Sequence, residues 1–327
     1  MATIKQVALE AGLSKSTVSR FIAQNGYVSD EARKKIEEAI KKLNFTPNLS
    51  AQSLKTKKNQ LVGLLLPDIS NPFFPMLAKG AEEFLKEKGY RVMLGNIGEN
   101  HQSEHDYLKV LLQSNAAGII STHDFKEEFP DLDIPSVIVD RVGHKSNYGV
   151  FSDNESGGRL AAKVIVEVGA KNVAVVSGPL NATNINNRFK ASIAYLKEKK
   201  VDFKAFYSQS YDFEEIQKEA REVLANKENF DSIIAPSDIH AMAYIHEIHR
   251  LDKKIPEEIQ IIGYDDIQMS QFIYPALSTI HQSAYQMGLE AAQLIYKIAT
   301  DQPIEKSKIE LPVHYVARET IRQKRKE

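Results

Sequence analysis

Thr3-Ile4-Lys5-Gln6-Val7-Ala8-Leu9-Glu10-Ala11-Gly12-Leu13-Ser14-Lys15-Ser16-Thr17-Val18-Ser19-Arg20 reads as two short helices joined by a tight turn. Ile4, Val7, Ala8 and Ala11 recur at helical spacing and make one apolar face. Gly12 stands where the turn needs a left-handed residue. Ser14 is placed to cap a second helix that turns Val18 and Phe21 inward. The other face of that helix carries Lys15, Ser16, Thr17, Ser19 and Arg20, short hydrogen-bonding groups and cations near the end that enters the major groove in a helix-turn-helix. A hairpin made only for packing does not need such a face. Together with Thr3 and Ser14, these residues are the expected DNA contacts.

The flanking sequence extends the pattern. Val28-Ser29-Asp30-Glu31-Ala32 opens a third helix with Ser29 as its cap, running through Ile36, Ala39, Ile40 and Leu43. Asn44-Phe45-Thr46-Pro47-Asn48-Leu49-Ser50-Ala51-Gln52-Ser53-Leu54 follows, and residues 46–60 form a polar connector containing Lys55, Lys57 and Lys58. In this order the motifs resemble the lac repressor/gal repressor family. The resemblance implies a helix-turn-helix DNA-binding domain over residues 1–45, a hinge over 46–59, and an effector-binding and dimerisation core over 60–327. It also implies that Asn48 to Leu54 fold into a short helix on the operator, with Asn48, Ala51 and Leu54 at the duplex and Leu54 of each subunit wedged into the minor groove. Such wedges kink DNA at a cost that the bent duplex repays in contacts. Without DNA the same connector reads as a flexible linker.

Charge follows the same division. Residues 1–60 hold 11 Lys and Arg against 5 Asp and Glu, a net of +6, while the whole chain carries −1. A basic head suits phosphates, whose neutralisation releases counterions and supplies most non-specific affinity. At 327 residues the chain can bury more than one core. It contains no Cys, so disulfides, thiolate metal sites and cysteine nucleophiles are excluded. It shows neither a leader-like start nor an apolar run of about 20 residues, so a cytoplasmic protein without a membrane partner is expected.

From Gln60 onward strand and helix alternate. Leu61-Val62-Gly63-Leu64-Leu65-Leu66 is a continuously apolar strand, a helix runs from Pro72 to Lys88, and further strands fit 90–95, 118–121, 136–140, 173–177, 232–235 and 259–264. This pattern predicts mainly parallel sheets with helices on both faces, and there are enough units for two doubly wound lobes. Ligands of open parallel sheets bind beyond the carboxyl ends of the strands. The residues there are Asp68, Ser70, Asn71, Phe73 and Phe74; Asp140 and Arg141; Tyr211 to Phe213; Ser237 and Asp238; and Asp265 and Asp266, with Arg188 at a helix start and Gln282 later. The set contains no recognisable nucleophile and base. It offers aromatic faces and planar polar groups, which suit a sugar's C–H faces and hydroxyls. As isolated features, Phe73 and Phe74 fit a core pair, Asp140 and Arg141 an ion pair, Asp265 a turn residue, and Arg188 a solvated helix face.

The body also resembles the periplasmic sugar-binding proteins and the regulatory core of the same repressor family, through Pro67-Asp68-Ile69-Ser70-Asn71-Pro72-Phe73-Phe74, Val139-Asp140-Arg141, Asp153-Asn154 with Gly157-Gly158, Arg188, Ile262 to Asp266, and Thr279-Ile280-His281-Gln282. The resemblance implies two α/β lobes, one over about 60–152 and 283–309, the other over about 155–281 and 310–320. The crossings would lie near Asp153-Asn154, Gln282-Ser283 and Ile309. It further implies that Asn71, Phe73, Phe74, Asp140, Arg141, Arg188, Phe213, Asp265 and Gln282 line an effector pocket.

The expected protein is a homodimeric, sequence-specific repressor that binds palindromic double-stranded operator DNA and answers to a small sugar. It needs no cofactor or metal and is not an enzyme. The pocket set looks ribose-like, with D-ribose as inducer; fructose, sucrose or a phosphosugar are the alternatives, since Ser237 stands where many family members carry Asn. No Gly-x-Gly-x-x-Gly or phosphate loop follows a strand. A solute receptor would share the body but not the basic head, and a sugar-converting enzyme would turn its ligand over.

Overall fold

The computed structural model of the chain describes residues 2–22, 26–45, 59–98, 101–125, 129, 133–141, 147–179, 183–225 and 229–323. The chain divides into two compact units, residues 1–59 and 60–327.

In the first unit, α1 (Ile4–Glu10), α2 (Lys15–Ile22) and α3 (Asp30–Lys42) pack around Val7, Ala8, Val18, Ile36 and Ala39. Each helix start is capped by a hydroxyl. Thr3 accepts from the Gln6 amide while the Gln6 side chain returns to the Thr3 amide, a reciprocal capping box. Ser14 accepts from the Thr17 amide, and Ser29 from that of Ala32. Gly12 has φ +64°, the left-handed turn its position requires. Asn48, Ala51 and Leu54, with the rest of the expected hinge up to residue 58, lie outside the described residues.

The second unit is built on two six-stranded sheets. The first comprises β1 (Asn59–Leu66), β2 (Arg91–Asn96), β3 (Ala116–Ser121), β4 (Ser136–Val139), β5 (Gly149–Ser152) and β11 (Lys308–Leu311), in the order β11-β5-β4-β3-β1-β2. The second comprises β6 (Asn172–Ser177), β7 (Asp202–Tyr207), β8 (Ser232–Ile234), β9 (Gln260–Asp265), β10 (Thr279–His281) and β12 (His314–Val316), in the order β12-β10-β9-β8-β6-β7. The two orders are the same arrangement repeated. β12 runs antiparallel to β10, whereas β11, in the matching edge place, runs parallel to β5.

Helices cover both faces of each sheet. On the first, α4 (Phe73–Glu87) and α10 (Ala284–Ala299) bury one side against Leu64, Leu66 and Val139, and α5 (His101–Gln113) covers Leu65 and Ile119 on the other. On the second, α6 (Asn154–Glu167) and α7 (Thr183–Lys199) face Val173 and Val175, while α8 (Phe213–Leu224) and α9 (Asp238–Arg250) face Ala174, Val176 and Ile233. Leu64, Leu65 and Leu66 are all fully buried because successive side chains enter opposite cores. Each such leucine contributes roughly 1.5–3 kcal/mol of burial. None of the described helices is long and apolar enough to cross a membrane.

The chain passes between the sheets three times: after Ser152, between His281 and α10, and between Leu311 and His314. The third passage lies beyond the place expected from the sequence, near Ile309. Glu310 and Leu311 still pair with Phe151 and Ser152 in the first sheet, and the break comes at Pro312, which has no amide hydrogen to continue the ladder.

Candidate functional site

On α2, the helix expected to read DNA, the two faces differ in exposure. Val18 is fully buried, and Lys15, Ser16 and Arg20 are exposed. Thr17 and Ser19 are half-buried. The hydroxyls of Ser14, Ser16 and Thr17 form a short chain, Ser14 Oγ lying 2.8 Å from both Ser16 Oγ and Thr17 Oγ1. Thr3 and Ser14 are therefore helix caps whose hydroxyls are already engaged within the head. Lys15 and Arg20 are the exposed cations of this face.

In the second unit a cavity of about 390 Å³ opens at the carboxyl ends of the strands, between the lobes. All nine side chains expected there line it. From the first lobe come Asn71, Phe73, Phe74, Asp140 and Arg141; from the second come Arg188, Phe213 and Asp265; and Gln282 comes from a crossing segment. Asn71 accepts from the Phe73 amide at 3.1 Å and so starts α4 as well as facing the cavity. The Phe73 and Phe74 rings meet edge to face with centroids 5.3 Å apart.

Arg188 is the structural centre of the second-lobe wall. Its guanidinium donates to Asn154 Oδ1 at 2.8 Å and to the Pro236 carbonyl at 2.9 Å, lies 3.9 Å from Asp265 Oδ1, and stacks 3.6 Å from the Tyr264 ring centroid. Two glycines make this possible. A Cβ on Gly158 would lie 1.9 Å from the Arg188 carbonyl oxygen, and one on Gly157 would lie 2.2 Å from the Tyr264 hydroxyl. The Gly157-Gly158 pair thus lets α6 and α7 close up and seats the ring beneath the guanidinium.

Two of the cavity carboxylates stand at strand ends with left-handed backbone, φ +63° at Asp140 and +112° at Asp265. Such conformations are strained outside glycine and tend to collect at functional sites. Burial pushes both carboxyls up, opposed mainly by the Arg188 charge. Gln282 Nε2 donates to Asp265 Oδ1 at 2.6 Å, leaving Gln282 Oε1 buried with no hydrogen-bond partner among the described residues. Arg141 Nε and the Tyr211 hydroxyl are in the same state. Buried polar atoms cost roughly 1–3 kcal/mol when unpaired, and three lining one cavity suit a polyhydroxylated ligand that offers donors and acceptors together.

Two neighbours named with the strand ends turn elsewhere. Asp238 accepts from the Ile267 amide and from the Ser270 and Thr279 hydroxyls, so it ties α9 to the rest of its lobe. Asp266 pairs with His281 and Arg318. Sequence reasoning missed Asn96, which ends β2 and obeys the same strand-end rule, and His240, on the first turn of α9. His240 is fully buried, and burial lowers its pKa to about 3.

Residues 3–48 match the model described as bacterial regulatory proteins, lacI family, and residues 162–321 match a periplasmic binding protein-like domain. The chain is 94% identical, over the full length of both proteins, to the ribose operon repressor of Lactococcus lactis subsp. lactis (strain IL1403). The crystal structure of the lac repressor dimer bound to operator and the anti-inducer ONPF is 23% identical over 98% of both chains, with a TM-score of 0.87, and so shares the fold. A LacI family transcriptional regulator from Enterococcus faecium, solved with bound ribose, is 25% identical over 80% of this chain and 98% of its own, with a TM-score of 0.72. A capped reader helix, a twice-repeated α/β lobe and full-length identity of this degree lead to one assignment: the chain belongs to the lacI family of bacterial regulatory proteins.

Proposed function

We propose that the chain is the repressor of a ribose-utilisation operon and that D-ribose, bound in the inter-lobe cavity, releases it from DNA. The observation that carries the choice of ligand is the cavity wall itself, where Arg141 Nε, the Tyr211 hydroxyl and Gln282 Oε1, without partners among the described residues, share the lining with the Phe73 and Phe74 rings. Similarity to the Lactococcus ribose operon repressor and to the ribose-bound Enterococcus regulator supports the same reading.

Charge separates a neutral sugar from a phosphosugar. Among the described residues the wall contains Asp68, Asp140, Asp212 and Asp265 against Arg141 and Arg188, and no lysine. Even with the buried Asp140 and Asp265 protonated, the two remaining carboxylates balance the two guanidinium groups. A phosphate dianion would then enter a low-dielectric cavity without net positive charge to receive it, which is costly.

In this reading Lys15, Ser16, Thr17, Ser19 and Arg20 face the operator, with Thr3 and Ser14 at the helix starts and Asn48, Ala51 and Leu54 completing the contact from the hinge. A dimer places two reader helices on a palindrome. Sugar drawn between the lobes favours their closed arrangement. The effector acts only through its different affinity for the two arrangements. Calorimetric titration of the full chain tests the ligand: saturable binding of D-ribose with no binding of ribose 5-phosphate is expected, and the reverse order would overturn the reading.

A further inference from the structure

Ser237 lines the cavity at the N-terminus of α9, where it caps the helix by accepting from the His240 amide at 3.4 Å. The same hydroxyl lies 2.8 Å from His240 Nδ1. The other ring nitrogen, Nε2, faces Ser208 Oγ at 3.4 Å, and that hydroxyl spends its own hydrogen on the Ser210 carbonyl at 3.0 Å. These contacts are met together by one consistent placement of the protons. With Ser208 Oγ donating to the Ser210 carbonyl it accepts from Nε2–H, and Nδ1 then carries no hydrogen and accepts from Ser237 O–H. Burial pushes the imidazole pKa down to about 3, so the ring stays neutral and cannot donate from both nitrogens.

We propose that His240 is a positioning residue that fixes Ser237 as an obligate hydrogen-bond acceptor, so that the cavity selects a ligand presenting a hydroxyl as donor at that point. The proposal rests on the reading of the cavity as a sugar site. A serine hydroxyl is ordinarily ambivalent, since it rotates to donate or accept as its partner requires. Here its hydrogen is committed to Nδ1 and one lone pair to the helix amide. One lone pair is left for the ligand. The Tyr211 ring packs edge-on against His240 with centroids 5.8 Å apart, and its buried hydroxyl has no partner among the described residues, so a second polar group of the cavity wall is open to a ligand. The pair Ser237 and His240 therefore discriminates polarity, a task that a lone serine does not perform.

The test is calorimetric titration of the purified full chain with D-ribose. His240→Leu removes the acceptor and should lose on the order of tenfold in affinity, the size of one hydrogen bond. His240→Asn can place Oδ1 where Nδ1 was and should recover most of that loss. Equal affinity in wild type and His240→Leu would overturn the proposal, as would equal losses in the two variants when both melt like wild type. A second arm leaves the buried ring untouched. Wild type should reject one monodeoxyfluoro-ribose as strongly as the matching deoxyribose, because fluorine cannot donate, and Ser237→Ala should remove discrimination at that carbon alone. Fluoro analogues that all bind wild type like ribose would overturn the proposal. Failure of wild type to bind ribose at all would instead overturn the reading of the site.

Discussion

Asp140 and Asp265 hold the same place in the two lobes. Asp140 directly follows β4 and Asp265 ends β9, the equivalent strands of two sheets with one order, and both take left-handed backbone. The repeat thus aims one carboxyl from each lobe into the cavity, with Arg188 acting on both. A ligand that binds both carboxyls joins the lobes, which is what an effector of closure must do.

Asp265→Ala is therefore expected to remove the response to sugar while operator affinity stays near wild type. Truncating one member of a buried, hydrogen-bonded charged set typically costs roughly 2–5 kcal/mol of binding. Calorimetry should find ribose affinity reduced at least about 30-fold, and an operator release curve that survived unchanged would remove Asp265 from the site.

Arg20→Ala should do the opposite. Arg20 is exposed on the reader helix and belongs to the separate N-terminal unit, so its loss should weaken operator binding by about 1–3 kcal/mol and leave sugar affinity unaltered. Fluorescence anisotropy on operator DNA, paired with ribose titration, checks both halves. A parallel fall in sugar affinity would indicate damage to the fold instead.

Gly158→Ala probes how Arg188 is held. The added methyl would sit 1.9 Å from a backbone oxygen of α7, which cannot rotate away as a side chain would. Overpacking of this kind costs roughly 1–3 kcal/mol. Chemical denaturation should show that loss together with weaker ribose binding; unchanged stability would mean that α6 and α7 are not so closely apposed.

His240 also gives stability a definite pH dependence. Its folded pKa of about 3 lies below the ordinary 6.5, so the unfolded chain takes up a proton that the folded chain refuses. The contribution is complete above pH 6.5 and is lost as pH falls toward 3. Between pH 7 and pH 5 it amounts to roughly 2 kcal/mol. His240→Asn should lack this slope, so denaturation midpoints of wild type and variant should converge as pH is lowered. Parallel midpoints across that range would show that the ring is not buried in its neutral form.

Much of this was legible in the sequence because it depended on local rules. Gly12, Ser14 and Ser29 are turn and cap residues whose chemistry is fixed by position. The buried strands announced themselves as apolar runs, the strand-end rule pointed to seven of the nine expected cavity side chains, and the family resemblance singled out Arg188 and Gln282 with them. The rest depended on what sequence does not encode locally. Asp265 and Asp266 are adjacent, yet one faces the cavity and the other pairs with Arg318 and His281, because the backbone between them turns. Asp238 beside Ser237 is likewise drawn inward by three donors from distant segments. His240 reaches the cavity from within a helix, where no strand-end rule points. Short β11 gave no signal of which sheet it would join, although Pro312 marks its end.

In the proposed function a sugar in the inter-lobe cavity controls a DNA-binding head. Titration of the full chain onto a labelled palindromic operator from its own upstream region, with and without millimolar D-ribose, tests it most directly. Tight binding at low salt that ribose reverses is expected. Operator binding that ribose leaves untouched, or no operator binding at all, would contradict it.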